Sequence, residues 1–227
     1  KNVNFSFLCS IFFIFFPIFI YRLGWHPSLF GQWTLFITIY LMLGDDKKLE
    51  RKWVYLIIFT SLIHFYFTFI NLLIYNFYKI YSLINKNLNL KNYFIDCSRT
   101  ATLLIIAMYC IGYFEVRISD TLALGFGVYK LNLLSLIDAV NSVNLFSWSL
   151  FLPDIKLSEG EELEGFNFIG FGGIILLTFL IYLITFKKKI REETLKLFLN
   201  KKILIILIFI IFLSLSNNIS IGSFNLI

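Results

Sequence analysis

The sequence predicts an all-α protein: a polytopic transmembrane helix bundle with about five full spans, a broken re-entrant helix pair and one long external loop. Three observations predict it. Of the 227 residues, 59% are hydrophobic and 15% charged, against roughly 45–50% and about 25% in soluble domains, and mean hydropathy is +0.81. The apolar residues fall in runs near the ~20 residues that cross a hydrocarbon core about 30 Å thick. The charges are segregated: 8 of the 14 acidic residues lie within 115–164, leaving that segment at −5 and the rest of the chain at +11.

Taken in order, residues 3–21 and 29–44 are read as spans joined by a short link, Arg22 to Ser28. Lys47, Lys48, Arg51 and Lys52 follow, and a second basic stretch occupies 187–202, so both stretches belong on the cytoplasmic side. Spans at 95–114, 166–186 and 203–219 then leave the Arg22–Ser28 link and the 115–164 loop outside. Residues 53–94 must start and finish on the cytoplasmic side, which a single crossing does not allow. Residues 53–84 are also too few for two crossings, since 32 residues at a rise of 1.5 Å reach about 48 Å. The reading is a re-entrant pair, 53–63 and 66–83, turning at His64, against one long tilted helix over 53–79. The whole chain is read as a single integral-membrane domain and as a fragment of a larger protein, in the cytoplasmic (inner) membrane of a bacterium.

Other classes are excluded. The formal charge of +6 sits in runs flanking apolar spans, where it orients them rather than meeting nucleic acid. Cys9, Cys97 and Cys110 are widely spaced and lack a C-x-x-C pattern, so neither disulfides nor a cysteine metal site is expected. Phe, Ile, Asn, Lys and Tyr are abundant together, as in an AT-rich genome, and most aromatics are read as lipid-facing. No H-E-x-x-H, P-loop or G-x-S-x-G occurs.

Several polar residues invite a role. Arg22 and His26 share the outward link with Trp25 and Trp33, either as an interfacial belt with a snorkelling arginine or as a clamp for a phosphate. His64, inside an apolar run, needs a partner or a wet cavity, and Asn71 and Asn76 follow it. Gly125, Gly127, Tyr129 and Asn132 suggest a tight turn, though G-x-G alone is weak. Trp148, Phe151, Leu152 and Pro153 suggest a segment on the membrane surface. Glu159, Glu161 and Glu162 read as solvated charge. Glu164 stands just before the 166–186 span, as a helix cap or as a base at the membrane surface.

Together these residues resemble a bacterial family of uncharacterised polytopic membrane proteins, domain of unknown function 6311, itself similar to the GT-C glycosyltransferases. The resemblance is carried by Tyr21-Arg22-Leu23-Gly24 with Gln32-Trp33, Ile63-His64-x-Tyr66, Gly112-Tyr113, Gly125-Phe-Gly-x-Tyr129-x-x-Asn132-Leu133, Leu152-Pro153, Glu164-Gly-Phe-x-Phe-x-Gly170-x-Gly172, and Leu215-Ser216-Asn217 with Gly222. It departs where the family's His-Pro-Tyr reads His64-Phe65-Tyr66 and where Leu163 replaces a tyrosine.

The resemblance implies a membrane glycosyltransferase that uses a polyprenyl-phosphate sugar donor and a glycan or lipid acceptor. Its catalytic acid would lie upstream of Lys1, with Glu164 the candidate within this chain. Arg22, His26 and His64 would face the lipid phosphate and Tyr129 and Asn132 the sugar. No metal site is expected, and a divalent cation is the one cofactor left open. The alternatives are a non-catalytic carrier or flippase of lipid-linked saccharides and a purely structural membrane protein.

Overall fold

The computed structural model describes residues 3–25, 27–44, 49–115, 132–141, 146–147, 149–152, 154–155, 167–198, 200, 202, 204, 208, 210–211 and 219–226. These are mostly helical. The chain, read as one domain, divides into two compact units, one of residues 26–122 and 201–206 and the other of 1–25, 123–200 and 207–227.

In the 26–122 unit a 3₁₀ turn, Leu29–Trp33, leads into α3 (Thr34–Leu43), followed by α4 (Leu49–Ile63), α5 (Phe65–Ile84) and α6 (Leu90–Cys110). The helix breaks at His64, whose backbone is extended (φ −164°, ψ 133°). α5 then folds back on α4, bringing Trp53 beside Tyr75 and Tyr78 with ring centroids 5.7 and 5.9 Å apart. This is a helical hairpin rather than one long helix over 53–79. Its interior is Trp53, Ile57, Ile74 and Tyr75, all buried. Gly31 lets the 3₁₀ turn approach this hairpin: a Cβ there would meet Ile63 Cγ2 at 2.6 Å. α6 ends in a left-handed residue, Gly112 (φ +75°), the usual glycine stop past a helix C-terminus.

In the other unit, α1 (Val3–Ile14) and α2 (Pro17–Trp25) replace the single span expected at 3–21. Pro17 is the reason. Proline has no N–H and clashes with the preceding turn, so a helix restarts at it rather than running through it. The second correction follows from the first: α2 continues through Arg22 to Trp25, so Arg22 lies in a helix and not in a loop.

The third correction concerns the span expected at 166–186. Its helix, α7, is Phe171–Phe186 and is N-capped by Gly170 (φ +81°). The capping role offered to Glu164 therefore falls to Gly170. A Cβ at Gly170 would lie 3.0 Å from Pro17 Cδ, and Gly173 faces Phe16, so glycines let α7 pack on the α1–α2 break. Phe168, Tyr21 and Ala139 form a buried core beside this contact, with Leu152 and Ile174 against it. α8 (Lys188–Phe198) turns sharply from α7.

Two short antiparallel hairpins add strands that an all-α reading did not contain: β1 (Val140–Asn141) with β2 (Phe146–Ser147), and β3 (Ile219–Ile221) with β4 (Phe224–Leu226). Gly222 (φ +61°) opens the two-residue turn of the second, where a left-handed first residue suits a tight hairpin.

Among the described residues, α6 is long and apolar enough to cross a membrane, and the bent α7–α8 pair adds a second crossing if counted as one span. α5 has the length, 20 residues, but carries Asn71, Asn76 and Lys79. The 203–219 span lies mostly outside the described residues, as does most of the 115–164 loop.

Candidate functional site

His64 occupies the turn of the α4–α5 hairpin. Its Nδ1 accepts a hydrogen bond from the backbone N–H of Tyr66 at 3.1 Å, which caps the first turn of α5, one of the places where a helix leaves N–H groups without partners. The ring lies edge-on to Phe67, centroids 6.1 Å apart. The imidazole thus holds the break together through a backbone amide, with Nδ1 as the unprotonated nitrogen.

Asn132 was expected to face a sugar. Its side chain is instead fully enclosed. Oδ1 accepts from the amides of Leu134 (3.0 Å) and Gly222 (2.8 Å), and Nδ2 donates to the Gly222 carbonyl at 2.7 Å. Asn132 also bridges Ser220 on β3. One amide side chain therefore ties the start of the 3₁₀ turn Leu133–Leu136 to the tip of the C-terminal hairpin. That is a structural clasp, and it accounts for both Asn132 and Gly222 in the sequence pattern.

Arg22 is 8% exposed in the last turn of α2, with its guanidinium carbon 5.9 Å from the Tyr21 ring centroid. Its neighbour Tyr21 belongs to the Phe168 core. An enclosed guanidinium with planar, forked donors is suited to a carboxylate or phosphate. His26, Tyr129 and Glu164 lie outside the described residues.

The densest polar constellation was not foreseen. Lys79, its side chain 6% exposed, ion-pairs with Glu50 and with Asp96 (Nζ to Oδ2 2.5 Å). Arg99 donates to Glu50 Oε1 and Asp96 Oδ1, both at 3.2 Å. The Tyr75 hydroxyl donates to Glu50 Oε1 at 2.5 Å, and the Lys79 ammonium lies 5.5 Å from the Tyr75 ring centroid. Helical spacing explains the convergence. Tyr75 and Lys79 share a face of α5 one turn apart, and Asp96, Arg99 and Thr100 share a face of α6. α4 supplies Glu50 from its first turn.

Two acids and two bases leave the quartet neutral, and every member has an opposite charge in contact. That pairing is what makes burial of these charges tolerable. It locks α4, α5 and α6 together at one end. The available signal was faint: Glu50 and Lys79 stand almost symmetrically in sequence about His64. No group of three or more His, Cys, Asp or Glu side chains suited to a metal ion occurs among the described residues.

Comparison with known proteins agrees with the pattern of motifs. No curated protein and no solved structure matches the chain. The family model DUF6311, described as a domain of unknown function, matches residues 1–227. With its whole length matched, the chain belongs to the DUF6311 family.

Proposed function

We propose that this chain is the membrane-embedded part of a multi-pass protein of the bacterial cytoplasmic membrane. On its outer face it binds a polyprenyl-phosphate-linked sugar and transfers the sugar to a glycan or lipid acceptor. The observation that carries the membrane reading is an inverted distribution of polarity. Ile105, Ile106 and Tyr109 on α6, and Ile175, Leu177, Phe179, Ile181 and Tyr182 on α7, are exposed, while Lys79 and Asn71 are buried and the partners of Lys79, Glu50 and Asp96, are half-buried. In water that arrangement leaves large apolar areas wet. In lipid it is favoured, since ionisable side chains there face the protein interior and pair.

Transfer rests on the GT-C resemblance and on the place of Arg22. The enclosed guanidinium would hold the phosphate and stabilise the charge that develops on it as the bond to the sugar breaks. Glu164 is this chain's candidate to take the proton of the acceptor hydroxyl, a role worth about 10²–10⁴ in rate. His26, His64 and Tyr129 are proposed around the donor, with His64 acting through the break it caps. A divalent cation is left as an addition to test by chelation.

A labelled polyprenyl-phosphate-sugar assay on the full-length protein decides among the readings. Expected outcomes are transfer by the wild type, loss of transfer with donor binding kept in Glu164→Gln, and weakened donor binding in Arg22→Ala. Saturable donor binding with no transfer would identify a carrier instead. Full activity in both variants would remove this site assignment.

A further inference from the structure

α7 contains no charged residue, whereas the eleven residues of α8 read Lys-Lys-Ile-Arg-Glu-Glu-Thr-Leu-Lys-Leu-Phe. The chain changes direction where the composition changes. α7 stops at Phe186, Lys187 is extended with its N–H bonded to the Leu183 carbonyl at 2.8 Å, and α8 leaves at 109° to α7. With α7 upright in a bilayer, a helix at that angle runs within the plane of the interface. Its six charged side chains are then spared the hydrocarbon.

α8 has two faces. The 3.6-residue period groups positions 190, 194, 197 and 198 on one side and Lys188, Lys189, Glu192, Glu193 and Lys196 on the other, with Arg191 and the exposed Leu195 along one boundary. Ile190 and Thr194 are half-buried, while Lys188, Lys189, Glu192 and Glu193 are exposed. Lys188 and Glu192 approach at 4.0 Å along the exposed face. Residues 187–198 hold Lys187, Lys188, Lys189, Arg191 and Lys196 against Glu192 and Glu193, an excess of base. Basic and apolar faces on a helix that lies across the end of a span match the chemistry of an anionic lipid interface.

We propose that α8 is an in-plane anchor on an anionic phospholipid surface. Its Ile190–Thr194 face rests toward the acyl chains, and its lysines and Arg191 lie at the level of the phosphates. This rests on the membrane reading above and adds to it a surface, a partner and an orientation.

The test uses the full-length protein with its native cysteines replaced by serine, in vesicles of phosphatidylethanolamine and phosphatidylglycerol. An environment-sensitive fluorophore is attached at Thr178→Cys in α7, or at Thr194→Cys or Glu192→Cys in α8. Nitroxide lipids and aqueous iodide serve as quenchers. The Thr178 probe should be quenched by deep nitroxides, the Thr194 probe several-fold more by headgroup-proximal nitroxides than by iodide, and the Glu192 probe by iodide. Replacing Lys188, Lys189 and Arg191 by Gln, or using phosphatidylcholine vesicles, should reduce lipid quenching at Thr194 several-fold.

Equal iodide quenching at Thr194 and Glu192, with Thr178 still in lipid, would overturn the anchor and spare the membrane reading. Iodide quenching at Thr178 would overturn both. A Thr194 probe shielded from both quenchers would mean that protein covers this face, and unchanged quenching in phosphatidylcholine would remove the anionic lipid as partner.

Discussion

Glu50 and Lys79, nearly equidistant in sequence from His64, meet as an ion pair across the α4–α5 hairpin. The hairpin's symmetry about His64 sets the register that brings them together. Asp96 on α6 completes the clamp from the other side of the ammonium.

Lys79→Met should therefore leave Glu50 and Asp96 facing each other with Arg99, 48% exposed, as their remaining counter-charge. Truncating one partner of a buried pair costs about 3–5 kcal/mol. Thermal or denaturant unfolding in detergent measures it. The double variant Glu50→Gln/Lys79→Met should lose less than the sum of the two single changes, because they share one interaction. Additive losses would show that the pair is not coupled.

Capping by His64 makes a paired prediction at the break. His64→Ala removes the acceptor for the Tyr66 amide and should cost about 1 kcal/mol, with His64→Asn recovering most of it. Phe65 is the first residue of α5, where proline is accommodated, and His64 already has the extended backbone that a following proline imposes. Phe65→Pro should then be within about 0.5 kcal/mol of the wild type, whereas Phe69→Pro, inside the same helix, should cost about 3 kcal/mol or more. Melting curves of the four variants separate these outcomes.

At the start of α7 the glycines differ in what they tolerate. Gly170→Ala meets both a left-handed backbone and Pro17 at 3.0 Å and should lose about 1–3 kcal/mol. Gly172, where a Cβ would touch Phe12 at an ordinary 3.6 Å, should accept alanine with little change. A comparison of unfolding midpoints tests the contrast, and equal behaviour would remove the close packing of α7 on the α1–α2 break.

Asn132→Ala should leave the Gly222 amide and carbonyl without the partners they have inside the fold, a loss of about 1–3 kcal/mol. Any fall in activity should then follow the loss of folded protein and vanish when rates are normalised to it. Lower turnover at unchanged stability would return Asn132 to the substrate.

How much was legible differs by residue. The break at His64 could be read because a polar residue inside an apolar run is costly wherever the run lies, and the loop charges demanded a turn there. Pro17 was equally legible as a helix start, yet a reading by hydropathy alone ran through it, since proline interrupts backbone bonding without changing apolarity. The roles of Asn132 and Lys79 were hidden. Asn132 finds its partner 90 residues away in sequence, and Lys79 lies between carboxylates on two other helices.

Composition and apolar runs by themselves determined that the chain is helical and where its polar residues would be conspicuous, because hydropathy and proline act locally along the backbone. Tertiary structure alone decided what those polar residues do. It enclosed Arg22 in a helix, spent Asn132 on Gly222, gave the cap of α7 to Gly170 and neutralised Lys79 with Glu50 and Asp96. A hydrogen bond or ion pair depends on angstrom-scale register between segments far apart in the chain, and that register follows from how the helices pack.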